Sequence, residues 1–259
     1  MTDSEKLLYL IHFLLGENGR YAAVQIPEDE GERWQLYRSL VNVRPAGELP
    51  PEYLEVQNEY LKSVTEKKGI TDAENIPPCP KDSRIAVWRG DITTLRADAI
   101  VNAANSGMTG CYAPCHNCID NIIHTMAGFQ LRNACHYIMA NQGYPEPTGN
   151  AKITPGFNLP CKYVLHTVGP IITEGVTPED VRLLASCYRS CLSLAGENGC
   201  KSVAFCCIST GVFRFPKKEA AAIALVTVQD FLNSGADDMK VIFNVFTDED
   251  EAIYRDICR

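Results

Sequence analysis

Residues 98–128 read DAIVNAANSGMTGCYAPCHNCIDNIIHTMAG, four kinds of segment in one run. Ile100 and Val101 close an apolar stretch that reads as the end of a strand. From Asn102 to Gly107 small residues and amides take over, which suits a loop that faces a ligand. Cys111, Cys115, His116 and Cys118 then crowd a polar turn, and all four are side chains able to bind a metal ion. Asp120 stands where helical spacing begins, through Ile119, Ile122, Ile123, Met126 and Ala127. Strand, ligand-facing loop and helix in that order point to an α/β fold.

Outward toward the C-terminus the alternation continues. The helix after Asp120 is expected to run to about residue 140, with strands at 152–154 and 163–168 and a helix at 178–196. Residues 202–208 are an almost unbroken apolar run, as in a strand covered on both faces. Pro216 opens another helix, 241–246 reads as the last strand, and Asp248 begins the closing helix. Toward the N-terminus, 85–88 is a strand ending in Gly90-Asp91-Ile92, and 97–101 is the next. The expected architecture is three-layer α/β/α with a mixed central sheet, over residues 79–259. Ligands of such sheets bind beyond the carboxyl ends of the strands.

Residues 1–78 differ. Helical spacing over 5–15, 31–41 and 51–67, interrupted by Pro45, Pro50 and Pro51, predicts a helical extension packed on the main domain, with a polar linker leading to Pro77-Pro78-Cys79-Pro80. Nothing in this region has catalytic spacing. The apolar middle of the first helix lacks the flanks of an export signal, so a cytoplasmic location is expected. A chain of 259 residues with net charge −8 argues against a general nucleic-acid binder, and no 18-residue apolar run suggests a membrane span. Twelve cysteines are more than such a chain needs as staples; Cys161, Cys187, Cys191, Cys200, Cys206 and Cys207 lie in or beside strand and helix patterns and read as small hydrophobes.

Four motifs fall in order: Gly90-Asp91-Ile92-Thr93, Val101 to Ser106, the helix-opening Asp120-Asn-Ile-Ile-His124, and Ser209-Thr-Gly-Val-Phe-Arg-Phe-Pro216. Together they resemble the macrodomain family, modules that hold ADP-ribose, over residues 84–257. The segment from Gly110 to His124 resembles its zinc-containing branch, protein-ADP-ribose hydrolases whose loop before the aspartate carries a metal. The resemblance implies one zinc per chain on Cys111, His116 and Cys118, three ligands that leave a fourth position for water or substrate. Cys115 stays open as a fourth ligand; sharing one tetrahedron with adjacent His116 would strain the chain.

The resemblance further implies Asp120 and Asn105 as catalytic residues. ADP-ribose would be held by Asp91, Ile92, Asn105, Ser209, Thr210, Gly211, Val212, Phe213 and Phe246, with backbone amides of 209–213 on the pyrophosphate. Asp120 could equally cap its helix, Asp91 serve a turn, and Phe246 fill the core. Asn102 reads as loop support, and His124 and His166 as satisfied core groups. The implied activity is zinc-dependent hydrolysis of mono-ADP-ribose from protein side chains at C1″ of the distal ribose, the partners being ADP-ribose and the modified protein. The alternative is a reader that binds ADP-ribose around a structural zinc. Oligomeric state is not legible.

Overall fold

Apolar runs between residues 85 and 245 become the strands of one sheet, and the amphipathic stretches between them become its covering helices. The computed structural model describes residues 1–235 and 238–259. Three helices lead: α1 (Asp3–Gly16), α2 (Glu30–Val43) and α3 (Pro51–Lys68). Each start has a local cause. Thr2 and Glu5 form a capping box on α1, Asp29 accepts from the Glu32 amide on α2, and Pro51, which needs no helical donor, opens α3.

β1 (Thr71–Asp72), β2 (Ile85–Arg89) and β3 (Leu95–Arg96) follow, and β1 pairs in parallel with β3. The stretch read as a linker is therefore partly structured, with Ala73 and Ile76 buried against the main core. The remaining elements are β4 (Ala99–Ala103), α4 (Ile119–Ala127), α5 (Phe129–Gln142), β5 (Ala151–Pro155), β6 (Tyr163–Thr167), α6 (Pro178–Glu197), β7 (Ser202–Phe205), α7 (Lys217–Asn233), β8 (Lys240–Val245) and α8 (Asp248–Ile257). The main sheet has the order β2-β8-β7-β4-β6-β5, parallel except for β5, which runs against β6. This is the mixed sheet between helices that the alternation predicts.

Three boundaries differ from the sequence reading. The helix expected from Asp120 to 140 is two helices, broken at Gly128, whose φ of +88° is a conformation side-chain-bearing residues avoid. A Cβ there would lie 2.6 Å from Gln57 Nε2. The apolar run 202–208 is strand only to Phe205; Cys206 to Ile208 carry the chain into the loop beyond. β4 runs on to Ala103, because Asn102, polar in sequence, is buried with a polar partner.

The extension has a core of its own, from Leu7, Leu10 and Ile11 of α1 to Tyr37, Tyr53 and Leu61, and Phe129 of α5 completes it. Trp34 and Val64 pack against both this cluster and the main one. Polar ties cross the same seam: Gln57 donates to Gln130 Oε1 at 2.8 Å, and Arg132 donates to the carbonyl of Val41 at 2.7 Å.

Candidate active site

The parallel strands deliver their carboxyl ends to one edge, where a cleft of about 1230 Å³ opens. The chain leaves β4 toward the β6–β5 edge and leaves its neighbour β7 in the opposite direction, toward β8, so the cleft sits where the strand order reverses. Asp91 follows β2 and Asn105 follows β4, three strands away; at about 4.8 Å per strand the cleft is roughly 14 Å long between them.

Asp120 lies in the first turn of α4, buried, and it does not cap that helix. Cys118 is the cap, its Sγ accepting from the Asn121 amide at 3.4 Å. Both oxygens of Asp120 are instead held by amides from the β4 end: Asn102 Nδ2 donates to Oδ1 at 2.8 Å, and Asn105 Nδ2 to Oδ2 at 3.1 Å. Burial pushes its carboxyl up to about 6, against the pull of the Asn102 bond, the Arg132 charge and the Asn105 bond. Asn102 also donates to His166 Nδ1 at 3.1 Å, which leaves His166 Nε2–H to bond Thr154 Oγ1 at 2.9 Å. His166 is thus the satisfied core group expected. His124 is not: buried, with its Nε2 3.5 Å from Asp120 Oδ1, it finds no hydrogen-bond partner for either ring nitrogen among the described residues.

The sulfur atoms of Cys111 and Cys118 and a ring nitrogen of His116 all lie within 4.8 Å of one another, with Cys111 Sγ 3.8 Å from His116 Nδ1. Zinc–sulfur and zinc–nitrogen bonds of about 2.3 and 2.0 Å at tetrahedral angles set donor separations near 3.5–3.8 Å, so the three fit one ion with a corner left over. Burial pushes the Cys118 thiol up to about 12, so a cation beside it is what would draw out the thiolate. Cys115 is turned away. Its φ is +53°, its amide donates to Asn42 Oδ1 at 2.9 Å, and its thiol donates to the Gln35 carbonyl at 3.2 Å, both on α2.

At the other end Asp91 serves the turn after β2. Its Oδ1 accepts from the amide and hydroxyl of Thr93 at 3.0 and 2.6 Å, while Oδ2 pairs with Lys68 of α3 at 2.9 Å. Burial alone would raise its carboxyl, but the bonds from Thr93 and Lys68 outweigh that and hold it below the usual range. Ile92 is buried beside it and also lines the cleft. Phe246 is 71% exposed at the rim, not in the core.

Residues Ser209 to Phe213 line the cleft in a loop framed by Ser209 and Arg214, both at positive φ. Among the described residues, the amides of Gly211, Val212 and Phe213 donate to no carbonyl or side chain, and Ser209 Oγ is buried without a partner. Such a concave row of free donors, followed by the N-terminus of α7, is a ready anion site. The close approach of Gly169 fixes the loop's position, since a Cβ there would come 2.0 Å from Ser209 Oγ.

Three residues that shape the cleft carry no local signal in the sequence: Trp34, Arg38 and Lys68, all from the extension. Behind the cleft, buried Arg132 ties the loop that carries Cys111 to the extension: it donates to the Thr109 carbonyl at 2.8 Å and to the Val41 carbonyl at 2.7 Å, and stands 4.7 Å from the Tyr112 ring.

Known proteins match this chain along most of its length. A family model described as Macro domain matches residues 101–224. A protein-ADP-ribose hydrolase of Treponema medium is 58% identical over 256 residues, covering 98% of both chains. One from Staphylococcus aureus strain MSSA476 is 48% identical, covering 98% of this chain and 96% of its own. Among solved structures, the Trypanosoma brucei macrodomain in complex with ADP-ribose aligns with a TM-score of 0.66 at 31% identity, over 86% of this chain and 95% of that one. The Oceanobacillus iheyensis macrodomain with ADP gives 0.60 at 40% identity, over 66% and 88%.

Proposed function

Because this chain belongs to the macrodomain family, we propose that it removes mono-ADP-ribose from modified protein side chains, hydrolysing the bond at C1″ of the distal ribose with the help of one zinc ion. The observation that carries the reading is Asp120: a buried carboxylate, oriented by two amides and raised toward neutrality, two residues from a convergent Cys111–His116–Cys118 set. The names and ligands of the relatives support the substrate class.

ADP-ribose would lie along the cleft with its adenine amino group donating to Asp91, beside Ile92 and Phe246. The free amides of Gly211 to Phe213 would take the pyrophosphate, binding energy remote from the reacting carbon. Asn105, whose Nδ2 already bonds Asp120, stands at the distal-ribose end. Cys111, His116 and Cys118 would hold the zinc, and when bound it supplies Lewis-acid polarisation at its open position. Asp120 would accept the proton of the attacking water, held in register by Asn102 and Asn105.

The test is release of ADP-ribose from a mono-ADP-ribosylated protein by freshly purified enzyme, by chelated enzyme, and by chelated enzyme resupplied with zinc. Release that chelation abolishes and zinc restores is expected. Undiminished release from protein shown by elemental analysis to be metal-free would remove the zinc from the reaction. Binding of free ADP-ribose with no release under any condition would make the protein a reader.

A further inference from the structure

The wall of the cleft beside the metal loop comes from the extension. Trp34 and Arg38 lie four residues apart on α2, hence on one face, and both line the cleft together with Cys115 to Ile119. The Trp34 ring is held by Tyr37 and Tyr60, with centroids at 5.6 and 6.1 Å. Arg38 reaches the loop itself, donating to the His116 carbonyl at 3.3 Å and to Asn121 Oδ1 at 3.1 Å. Neither acceptor carries a charge. The other long basic side chain of the cleft, Lys68, is neutralised by Asp91 at the opposite end, and the cleft residue Asp250 pairs with Lys217. Among the described residues Arg38 has no carboxylate partner, and Asp120, the carboxylate of the same end, bonds Asn102 and Asn105 instead, so the guanidinium is an unpaired positive charge on the cleft wall.

Whatever occupies that end depends on the hydrolase reading above, on which this inference rests. With ADP-ribose running from Asp91 toward Asp120, the space beyond Asp120 on the metal-loop side meets the group to which the ribose is attached. We propose that Trp34 and Arg38 form a subsite for the polypeptide segment flanking the modified residue, and that it selects segments with a carboxylate side chain beside the modification. The guanidinium pairs with the carboxylate while the indole packs the neighbouring backbone and aliphatic carbons. The extension is then a specificity element.

Two synthetic peptides carrying the same ADP-ribosylated side chain, one flanked by Glu and one by Lys, decide the matter through the ratio of their kcat/KM values. For the zinc-loaded wild type we expect the Glu peptide to be preferred roughly fivefold, the scale of a half-exposed ion pair. Arg38→Gln, which keeps a donor for the His116 carbonyl, brings the ratio to about one, whereas Arg38→Lys preserves it. Raising salt from about 0.05 to about 0.5 M shrinks the wild-type ratio toward one, and this readout stands even if the variants fold poorly. Equal turnover of both peptides by the wild type, or a salt-insensitive ratio, overturns the subsite and leaves the hydrolase reading intact. A ratio kept in Arg38→Gln while both peptides and free ADP-ribose bind more weakly overturns it too, because Arg38 would then be reading the diphosphate. No release from either peptide by the zinc-loaded wild type is the separate failure of the hydrolase reading, and the subsite falls with it.

Discussion

Cys115 and His116 are neighbours in the chain, yet their side chains leave in different directions. The left-handed backbone at Cys115 swings its thiol to the Gln35 carbonyl, while the His116 ring stays with Cys111 and Cys118. Cys115→Ser should therefore keep about one zinc per chain by elemental analysis and Cys118→Ser should lose it; equal loss in both would mean four protein ligands and no open position. A second residue-level expectation concerns acid. Burial pushes His166 down to about 3 from an unfolded value near 6.5, so across that window the unfolded chain holds a proton the folded one lacks. Stability contributed by neutral His166 is complete above about pH 6.5 and drains away as pH falls. His124, also depressed by burial, acts in the same sense. Asp120, raised to about 6, acts oppositely over the narrower range above its ordinary 3.8, so the two histidines set the net sign. The urea midpoint should drop between pH 7 and pH 5, with a shallower drop in His166→Gln; parallel slopes for the two proteins would refute the assignment.

Helices and strands differ in how plainly the sequence announces them. The strands β2, β6 and β8 are legible as apolar runs, because parallel strands covered on both faces need bulk at every position. The motif-bearing ends of β2, β4 and β7 are legible too, since small and polar residues interrupt those runs where the cleft opens. β1 and β3 are not, as two-residue strands have no period to read. Nor is the α4–α5 break, because the apolar spacing from Ile119 to Leu131 passes over Gly128 without interruption, and what demands a glycine is a positive φ and close contacts with residues distant in sequence, Gln57 seventy-odd positions away among them. The share of α2 in the cleft is hidden for the same reason: Arg38 meets Asn121 across 83 positions. Gly128→Ala combines a positive φ with a Cβ 2.6 Å from Gln57 Nε2 and 2.9 Å from Asn158 Nδ2, and should cost about 1–3 kcal/mol in denaturant unfolding. A change within experimental error would show that the α4–α5 corner relaxes freely.

Over the whole molecule the two hydrophobic clusters share Trp34 and Val64, and Phe129 of the main domain sits inside the extension's core. We expect one calorimetric transition with equal calorimetric and van't Hoff enthalpies. Two resolved peaks would mean that the extension melts alone. Removing residues 1–78 should strip Phe129 of its cover and Cys115 of both α2 partners, and the shortened chain should retain less than its share of metal. The seam has a thermodynamic corollary. A cleft whose floor is made by strand ends and whose wall is made by α2 exists only in molecules where the two are docked. Apparent affinity is then the intrinsic affinity multiplied by the docked fraction, so a change that leaves about one molecule in ten docked weakens binding roughly tenfold without touching a single ligand contact. Reciprocity makes a bound ligand a clasp, tightening the seam by as much as the seam had sharpened the site.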